Sequence, residues 1–251
     1  MCFSSKPGTP PAREKGGRRT DPLSRSLPET ELRPTASMVA ARPACALDSR
    51  SWTCYLGRMR VAFKEWAVIV DALGRGEQIL ILRKGGISEE RGGFQVEHPQ
   101  FLLFPTRFHQ QREAVLPAAQ ARFDQIAPAF PTVDRVRLEF LAEVVAWKRL
   151  DSLAVAERLR GQHVWRDDVI AERFDWGKGK NIFALAVKLF RLPQTVELPL
   201  LPGYGGCKSW VELDTEIAVE AAQPVLAEAA FADKLEAFHD ALAGELRAAR
   251  P

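Results

Sequence analysis

The hydrophobic and polar positions along the chain form short apolar runs that stop at glycine, proline or charged residues. The run over 77–82 lies between Gly76 and the pair Gly85-Gly86. It is too short for a helix and has no polar stripe, so it predicts a buried strand. Runs that alternate or contain β-branched residues predict the other strands, over 94–98, 101–104, 136–147, 182–192 and 211–213.

Helical spacing appears before and after this set of strands. Apolar positions over 61–74 recur at helical spacing, which predicts an amphipathic helix with Glu65 near its solvated face. Apolar residues near the end of the chain predict a C-terminal helical region from about residue 219. Helices on either side of several strands predict a single mixed α/β (α+β) domain over 59–248, with a central mixed or antiparallel sheet flanked by helices.

Residues 1–58 are rich in proline, arginine and serine and have no apolar periodicity. Such a segment cannot bury enough surface to offset its ordering entropy, so it predicts a disordered extension. The alternative is that translation starts at Met59 and the upstream residues are a mis-called start. This segment has ten Lys/Arg against five Asp/Glu, so the rest of the chain has a net charge of −2 although the whole chain has +3. Any nucleic-acid site in the domain must therefore be a local basic patch.

Several classes of protein do not fit this composition. There is no run of about 18 apolar residues, so the sequence predicts no membrane-spanning helix. No CxxC pair and no Cys/His spacing typical of zinc is present, and we predict no metal site and no cofactor. Three of the four cysteines precede residue 59, and only Cys207 lies in the predicted domain. A domain with one thiol is consistent with a reducing compartment, so we expect a cytoplasmic protein.

Basic, glycine-rich turns adjoin three of the predicted strands, at 83–86, 175–180 and 203–210. Glycine allows positive φ, and successive backbone N–H groups in such turns form concavities that bind anions and that nearby cations reinforce. Thr106 is predicted to cap a further helix whose first turn carries His109, which is a second type of anion site. The predicted ligand-binding residues are Arg83, Lys84, Gly85, Gly86, Thr106, His109, Lys178, Lys208 and Trp210.

Aromatic residues accompany these turns, namely Trp176, Tyr204 and Trp210. Cations for phosphate and aromatic faces for stacking are typical of single-stranded nucleic-acid binding, so the pattern predicts binding of RNA or another phosphate-bearing ligand. Two alternatives stay open. One is a phosphoester hydrolase, metal-assisted or acid/base, with Glu97, His98 and His109 as the catalytic residues. The other is a protein-interaction module, in which the basic turns are solvated surface.

Short segments that follow one another over 60–213 carry a resemblance to a known family. They are Lys64-Glu65-Trp66-Ala67, residues 82–87, Glu97-His98, Phe101, Pro105-Thr106, His109-Gln110, His163-Val164-Trp165, Arg173-Phe174 and residues 206–213. With these segments the chain resembles a bacterial family catalogued as domain of unknown function family 1802. The resemblance implies a domain that starts just before Lys64, and it implies no activity.

A second resemblance rests on Gly76, Gln78, Ile81 and Arg83. These residues have the spacing of the GxKxxExR motif found in the RNA-associated ASCH branch of PUA-like β-barrels. Gly76 and Arg83 match the motif, whereas Gln78 and Ile81 stand where it has Lys and Glu. The similarity implies a PUA-like barrel and an association with RNA. A nuclease-like α/β fold stays open as the alternative.

Overall fold

A computed structural model of the chain describes residues 57–84, 98–107, 111–131, 133–177, 179–206 and 208–248, with side chains as far as residue 243. The strands are β1 Arg58–Trp66, β2 Leu80–Arg83, β3 Gln100–Thr106, β4 Arg135–Leu150, β5 Ile182–Pro199, β6 Trp210–Ala218 and β7 Gln223–Pro224. The α-helices are α1 Ala67–Gly74, α2 Pro117–Ile126, α3 Leu153–Glu157, α4 Asp167–Asp175 and α5 Glu228–Ala248. Among these helices, none is both long and apolar enough to cross a membrane.

The strands form one mixed sheet in the order β2-β5-β4-β3-β1-β6, and β7 pairs with β5. β1 and β3 are parallel, and the other ladders are antiparallel. The predicted mixed α/β class with a central mixed sheet is therefore confirmed. The central apolar run forms β2, and the runs predicted at 136–147 and 182–192 form the longer strands β4 and β5.

The predicted helix over 61–74 is wrong in its first half, because residues as far as Trp66 form β1. Consecutive residues of β1 face opposite sides: Ala62 packs into one apolar cluster and Phe63 into the other. Pairing with β3 on one side and β6 on the other outweighs the helical spacing of the apolar residues. Glu65 therefore lies on a central strand rather than on the solvated face of a helix.

The C-terminal helical region also differs from its predicted bounds. α5 begins at Glu228 rather than near 219, because Gln223 and Pro224 first pair with Arg191 and Phe190 of β5. Pro117 occupies the first turn of α2. Proline suits that position because the first N–H groups of a helix have no intrahelical acceptor.

Two apolar clusters cover the two faces of the sheet, which explains why its central strands are continuously apolar. Phe101 and Leu103 of β3 belong to one cluster together with residues of α1, α4 and α5. Leu102 and Phe104 belong to the other, with residues of β4, β5 and β6. Three strands separate β2 from β1 in the sheet order, yet Arg83 of β2 donates a hydrogen bond to the carbonyl of Lys64 in β1. The sheet is therefore curled, and its β2 edge approaches β1.

Candidate functional site

Arg83 ends β2 and joins three parts of the curled sheet. Its Nη1 donates to the Lys64 carbonyl at 2.9 Å and its Nη2 donates to Ser209 Oγ at 2.9 Å. The guanidinium carbon lies 4.9 Å from the centroid of the Phe63 ring, within the range of a cation–π contact. Because the three residues before it are buried core, Arg83 is the first side chain of β2 able to reach polar partners. Its planar fork connects β1 with the residue that precedes β6.

Lys84, the next residue, joins the same place to the end of α4. Its Nζ donates to the carbonyls of Phe174 and Asn181 at 2.9 Å each, and also to the carbonyl of Gly179. An ammonium group at the C-terminus of a helix is favourable, because the carbonyls there carry the negative end of the helix dipole. Burial lowers the pKa of Lys84, and the charge of Asp175 acts in the opposite direction.

The described parts of the three predicted basic turns thus meet at one place, which we call the three-turn junction: Arg83-Lys84, residues 175–181 and residues 205–209. Lys64 completes it. Its Nζ donates to the carbonyls of Gly205 and Gly206 at 3.2 and 3.1 Å, and its backbone N–H donates to the Ser209 carbonyl at 2.9 Å. Turns that are about 90 and 30 residues apart in sequence are therefore linked by the side chains of Arg83 at the end of β2, Lys84 directly after it, and Lys64 on β1.

A buried carboxylate and a second arginine lie against the junction. Glu65 is 2% exposed; its Oε1 accepts the N–H of Trp66 at 2.7 Å, and its Oε2 has no hydrogen-bond partner among the described residues. Burial raises the pKa of Glu65, and the positive charges of Arg83 and Arg173 oppose that rise. A buried carboxylate with a perturbed pKa is a feature that occurs often at functional sites.

Arg173 reaches the junction from α4. Its Nη1 donates to the Leu82 carbonyl at 2.9 Å, and its guanidinium carbon lies 4.4 Å from the Trp66 ring and 5.3 Å from the Trp165 ring. Burial lowers the pKa of Arg173 to about 10, with Glu65 acting against that change and Arg83 adding to it. Arg173 therefore stays charged at neutral pH.

Three cations of the junction, Arg83, Lys84 and Arg173, bind neutral oxygen atoms rather than carboxylates. Within the described residues, Arg83, Lys84 and Arg173 donate to backbone carbonyls and to one hydroxyl group, and none of the three forms an ion pair. A carbonyl satisfies an N–H donor but does not cancel its charge. Arg83 and Arg173 therefore lie near the buried carboxylate of Glu65, and Lys84 lies near Asp175, without direct ion pairs in the described residues.

The aromatic residues of the predicted site have different environments. The Trp210 ring is packed against Phe63, Phe101 and His98, with centroid distances of 4.8, 5.1 and 5.2 Å. Tyr204 is 5% exposed and its hydroxyl accepts the N–H of Asp214, so a stacking role for Tyr204 does not fit the structure. Trp176, at the end of α4, is 42% exposed.

Two other predicted site residues, Thr106 and Lys208, adjoin Glu65 and Ser209. Thr106 is the last residue of β3, and its Oγ1 donates to the Glu65 carbonyl at 3.1 Å. Lys208 is exposed and directly precedes Ser209, which accepts from Arg83. Of the predicted catalytic set, His98 lies against Trp210. Five predicted residues lie outside the described part of the chain, as does the segment 1–56: Gly85, Gly86, Glu97, His109 and Lys178.

Sequence reasoning missed Glu65, Lys64 and Arg173 as members of the site. Glu65 was expected on a solvated helical face, and a lone Arg on a short helix has no distinguishing pattern. One signal did point to them, because both Lys64-Glu65-Trp66 and Arg173-Phe174 are among the segments that carry the family resemblance. Those segments, with residues 82–84 and 208–210, are the ones that meet at the junction.

The family model described as Domain of unknown function (DUF1802) matches residues 62–237. The chain belongs to this family. The matched range contains the three-turn junction with Glu65 and Arg173, and it begins four residues into β1. The predicted membership is therefore confirmed.

The chain is also similar to one solved structure that its sequence motif had indicated. The crystal structure of ASCH from Zymomonas mobilis superposes with a TM-score of 0.34 and 11% sequence identity, covering 70% of this chain and 92% of that chain. At that level the similarity indicates nothing about ligand or activity. The sequence matches none of the curated proteins.

The positions of the ASCH-like motif have distinct structural roles in this chain. Gly76 has a φ of +68°, and a Cβ there would lie 2.4 Å from Leu226, so glycine is required for both conformation and space. Gln78 is buried, donating to the Leu80 carbonyl at 2.6 Å and accepting the N–H of Val164 at 3.0 Å. Ile81 packs in the core, and Arg83 alone reaches the junction.

Proposed function

We propose that this domain binds RNA or another phosphate-bearing ligand at the three-turn junction. The observation that carries the proposal is the gathering of Arg83, Lys84 and Arg173 beside one buried carboxylate, that of Glu65. In the described residues these three cations donate to neutral oxygens and form no ion pair. Charges held in a partly buried, low-dielectric setting act more strongly on a nearby anion than the same charges in water.

The fixed cations also require little reorganisation on binding. Arg83 and Lys84 are each held by two or more hydrogen bonds, so a ligand does not have to immobilise flexible side chains there. Arg173 is half-buried and donates one hydrogen bond to protein, while a guanidinium has five N–H donors. Its remaining donors are suited to phosphate oxygens, which a guanidinium binds in a bidentate manner.

Exposed lysines beside the junction supply the direct contacts in this proposal. Lys208 is exposed next to Ser209, and the Lys180 side chain is 79% exposed, with its Nζ 3.5 Å from Asp175. An exposed ion pair of this kind contributes about 0–1 kcal/mol, so a phosphate can replace it at little expense. In this proposal the positive charges of Arg83 and Lys84 attract the phosphates and their hydrogen bonds hold the turns, while Lys180 and Lys208 contact the ligand.

The experiment is fluorescence anisotropy with a labelled single-stranded RNA of about 12 nucleotides, at about 50 and about 200 mM salt. We expect binding to weaken steeply with salt, because each neutralised phosphate releases counterions. Lys208→Gln and Lys180→Gln should each weaken binding and reduce the salt slope by about one. Inorganic pyrophosphate as a competitor distinguishes two kinds of site. It displaces the RNA from a general phosphate site but not from a site that requires RNA.

Arg58→Gln is the matched control, because it also removes one positive charge from an exposed side chain. Arg58 precedes Glu65 by seven residues on β1. At about 3.3 Å per residue, Arg58 therefore lies roughly 23 Å from Glu65 along β1. Equal effects of the three substitutions would indicate non-specific attraction and contradict a site at the junction. Binding that is absent at low salt would exclude the proposal altogether.

A further inference from the structure

Trp176 is the large exposed aromatic side chain at the three-turn junction. It follows α4, its backbone N–H donates to the Glu172 carbonyl at 3.0 Å, and its side chain is 42% exposed. In the part of the chain that the structure describes, its indole ring takes part in no ring stacking and no cation–π contact. Trp147, which is 52% exposed, differs because its ring packs on Phe183 at 6.2 Å.

The backbone that carries Trp176 is pinned on both sides by one ammonium group. Lys84 Nζ binds the carbonyl of Phe174, two residues before Trp176, and the carbonyl of Asn181, five residues after it, each at 2.9 Å. The hydrogen bonds of Lys84 thus hold described backbone on both sides of Trp176. A rigid aromatic face loses little conformational entropy when a flat partner stacks on it.

Exposed lysines lie on the turn that carries this ring and on the turn at residues 205–209. Lys180 lies four residues further along the turn, and its side chain is 79% exposed. The turn at residues 205–209 is linked to the turn that carries Trp176 through two residues that are consecutive in sequence. Arg83 binds Ser209, and Lys84 binds the carbonyl of Asn181. An exposed aromatic ring among lysines suits a partner that has both a flat π-face and regularly spaced negative charges.

We propose that Trp176 stacks on a base of a single-stranded nucleic acid whose phosphates lie on Lys180 and Lys208. This inference rests on the proposed function and narrows it, because a free phosphate, a pyrophosphate or a fully paired duplex offers no base face to Trp176. Charge favours a nucleic acid over an apolar protein segment as the occupant, since the lysines beside the ring would be desolvated by an apolar partner.

The test compares two labelled 12-nucleotide probes of about equal charge, an RNA and an abasic ribose-phosphate oligomer, on the full chain. We expect Trp176→Ala to weaken RNA binding by about 10-fold and to leave abasic binding unchanged, since one stack is lost. Trp176→Phe keeps an aromatic face and should recover part of the RNA affinity. Leu200→Ala is the control for loss of an exposed apolar side chain; Leu200 is 43% exposed and follows the opposite end of β5.

The outcomes separate this inference from the proposed function. If wild-type protein binds RNA in a Lys208-dependent manner but Trp176→Ala binds it equally well, the stacking inference is wrong and the proposed function stands. Equal losses of RNA and abasic affinity in Trp176→Ala would also contradict stacking. If wild-type protein binds neither probe, both proposals fail, and Trp176 is then better explained as part of a protein-interaction surface.

Discussion

Two arginines outside the three-turn junction, Arg112 and Arg122, satisfy their donors differently from the two within it. Arg112 donates to both carboxylate oxygens of Asp124 at 2.8 Å, and Arg122 donates to both oxygens of Asp71 at 3.0 Å. At the junction, Arg83 and Arg173 donate to backbone carbonyls and a serine hydroxyl.

The difference determines where the protein keeps uncompensated charge. A carboxylate partner cancels the charge of an arginine, and the pair has little field beyond a few ångströms. A carbonyl partner meets the hydrogen-bonding need of a buried N–H and leaves the full positive charge in place. Arg83, Lys84 and Arg173 are thus cations without a direct carboxylate partner in the described residues, in a domain whose net charge is negative.

The largest expected effect concerns Arg173. Arg173→Ala removes the contacts with Trp66 and the Leu82 carbonyl and leaves Glu65 buried with one arginine fewer, so we expect a loss of about 3–5 kcal/mol in the free energy of unfolding. Arg160→Ala is the surface counterpart; its side chain is 54% exposed and pairs with Glu157 and Asp167, and we expect at most about 1 kcal/mol. Urea unfolding measures both, and similar losses would remove the distinction between the two regions.

A second prediction concerns pH and His163, which is 5% exposed near Arg173. Burial lowers the pKa of His163 from 6.5 to about 4, with Asp167 opposing the change. The unfolded chain takes up a proton as pH falls through 6.5 while the folded protein does not, so stability present above that pH is lost on acidification. Between about pH 7 and about pH 4.5 the loss due to His163 should be about 2 kcal/mol.

The measurement for His163 is the difference between wild type and His163→Gln in urea unfolding at these two pH values. The wild type should lose more stability on acidification than the variant does. His239→Gln provides the control, because His239 is exposed on α5. If wild type and His163→Gln lose equal stability, His163 is not held neutral in the folded protein.

The smallest effect is expected at Lys84. Lys84→Met keeps the aliphatic stem but removes the ammonium that binds the carbonyls of Phe174 and Asn181, so we expect a loss of about 1.5 kcal/mol. Amide hydrogen exchange should also become faster in residues 175–181. Lys180→Met, at a side chain that is 79% exposed, should change stability by less than about 0.5 kcal/mol. Unchanged exchange in the turn of Lys84→Met would mean that the turn does not depend on this side chain.

Local pattern predicted the strands whose residues are buried on both faces. The runs that form β2, β4 and β5 are apolar and bounded by glycine, proline or charge, so pairing context did not have to be known. β1 was mistaken for a helix because Phe63, Trp66, Val70 and Leu73 have helical spacing across the boundary between β1 and α1. Only the ladders to β3 and β6 decide that Phe63 and Trp66 belong to a strand.

The class of fold, the family and the three glycine-rich basic turns could be predicted without coordinates, because composition, apolar runs and short motifs are local properties. Tertiary structure decided that these turns share one place and that Arg83 and Lys84 hold them there. It also decided that Glu65 is buried beside Arg173. The physical reason is that hydrogen-bond partners such as the carbonyls of Lys64, Leu82 and Phe174 belong to backbone that every residue has. No pattern of side chains along the chain can therefore indicate which of them a distant cation will bind.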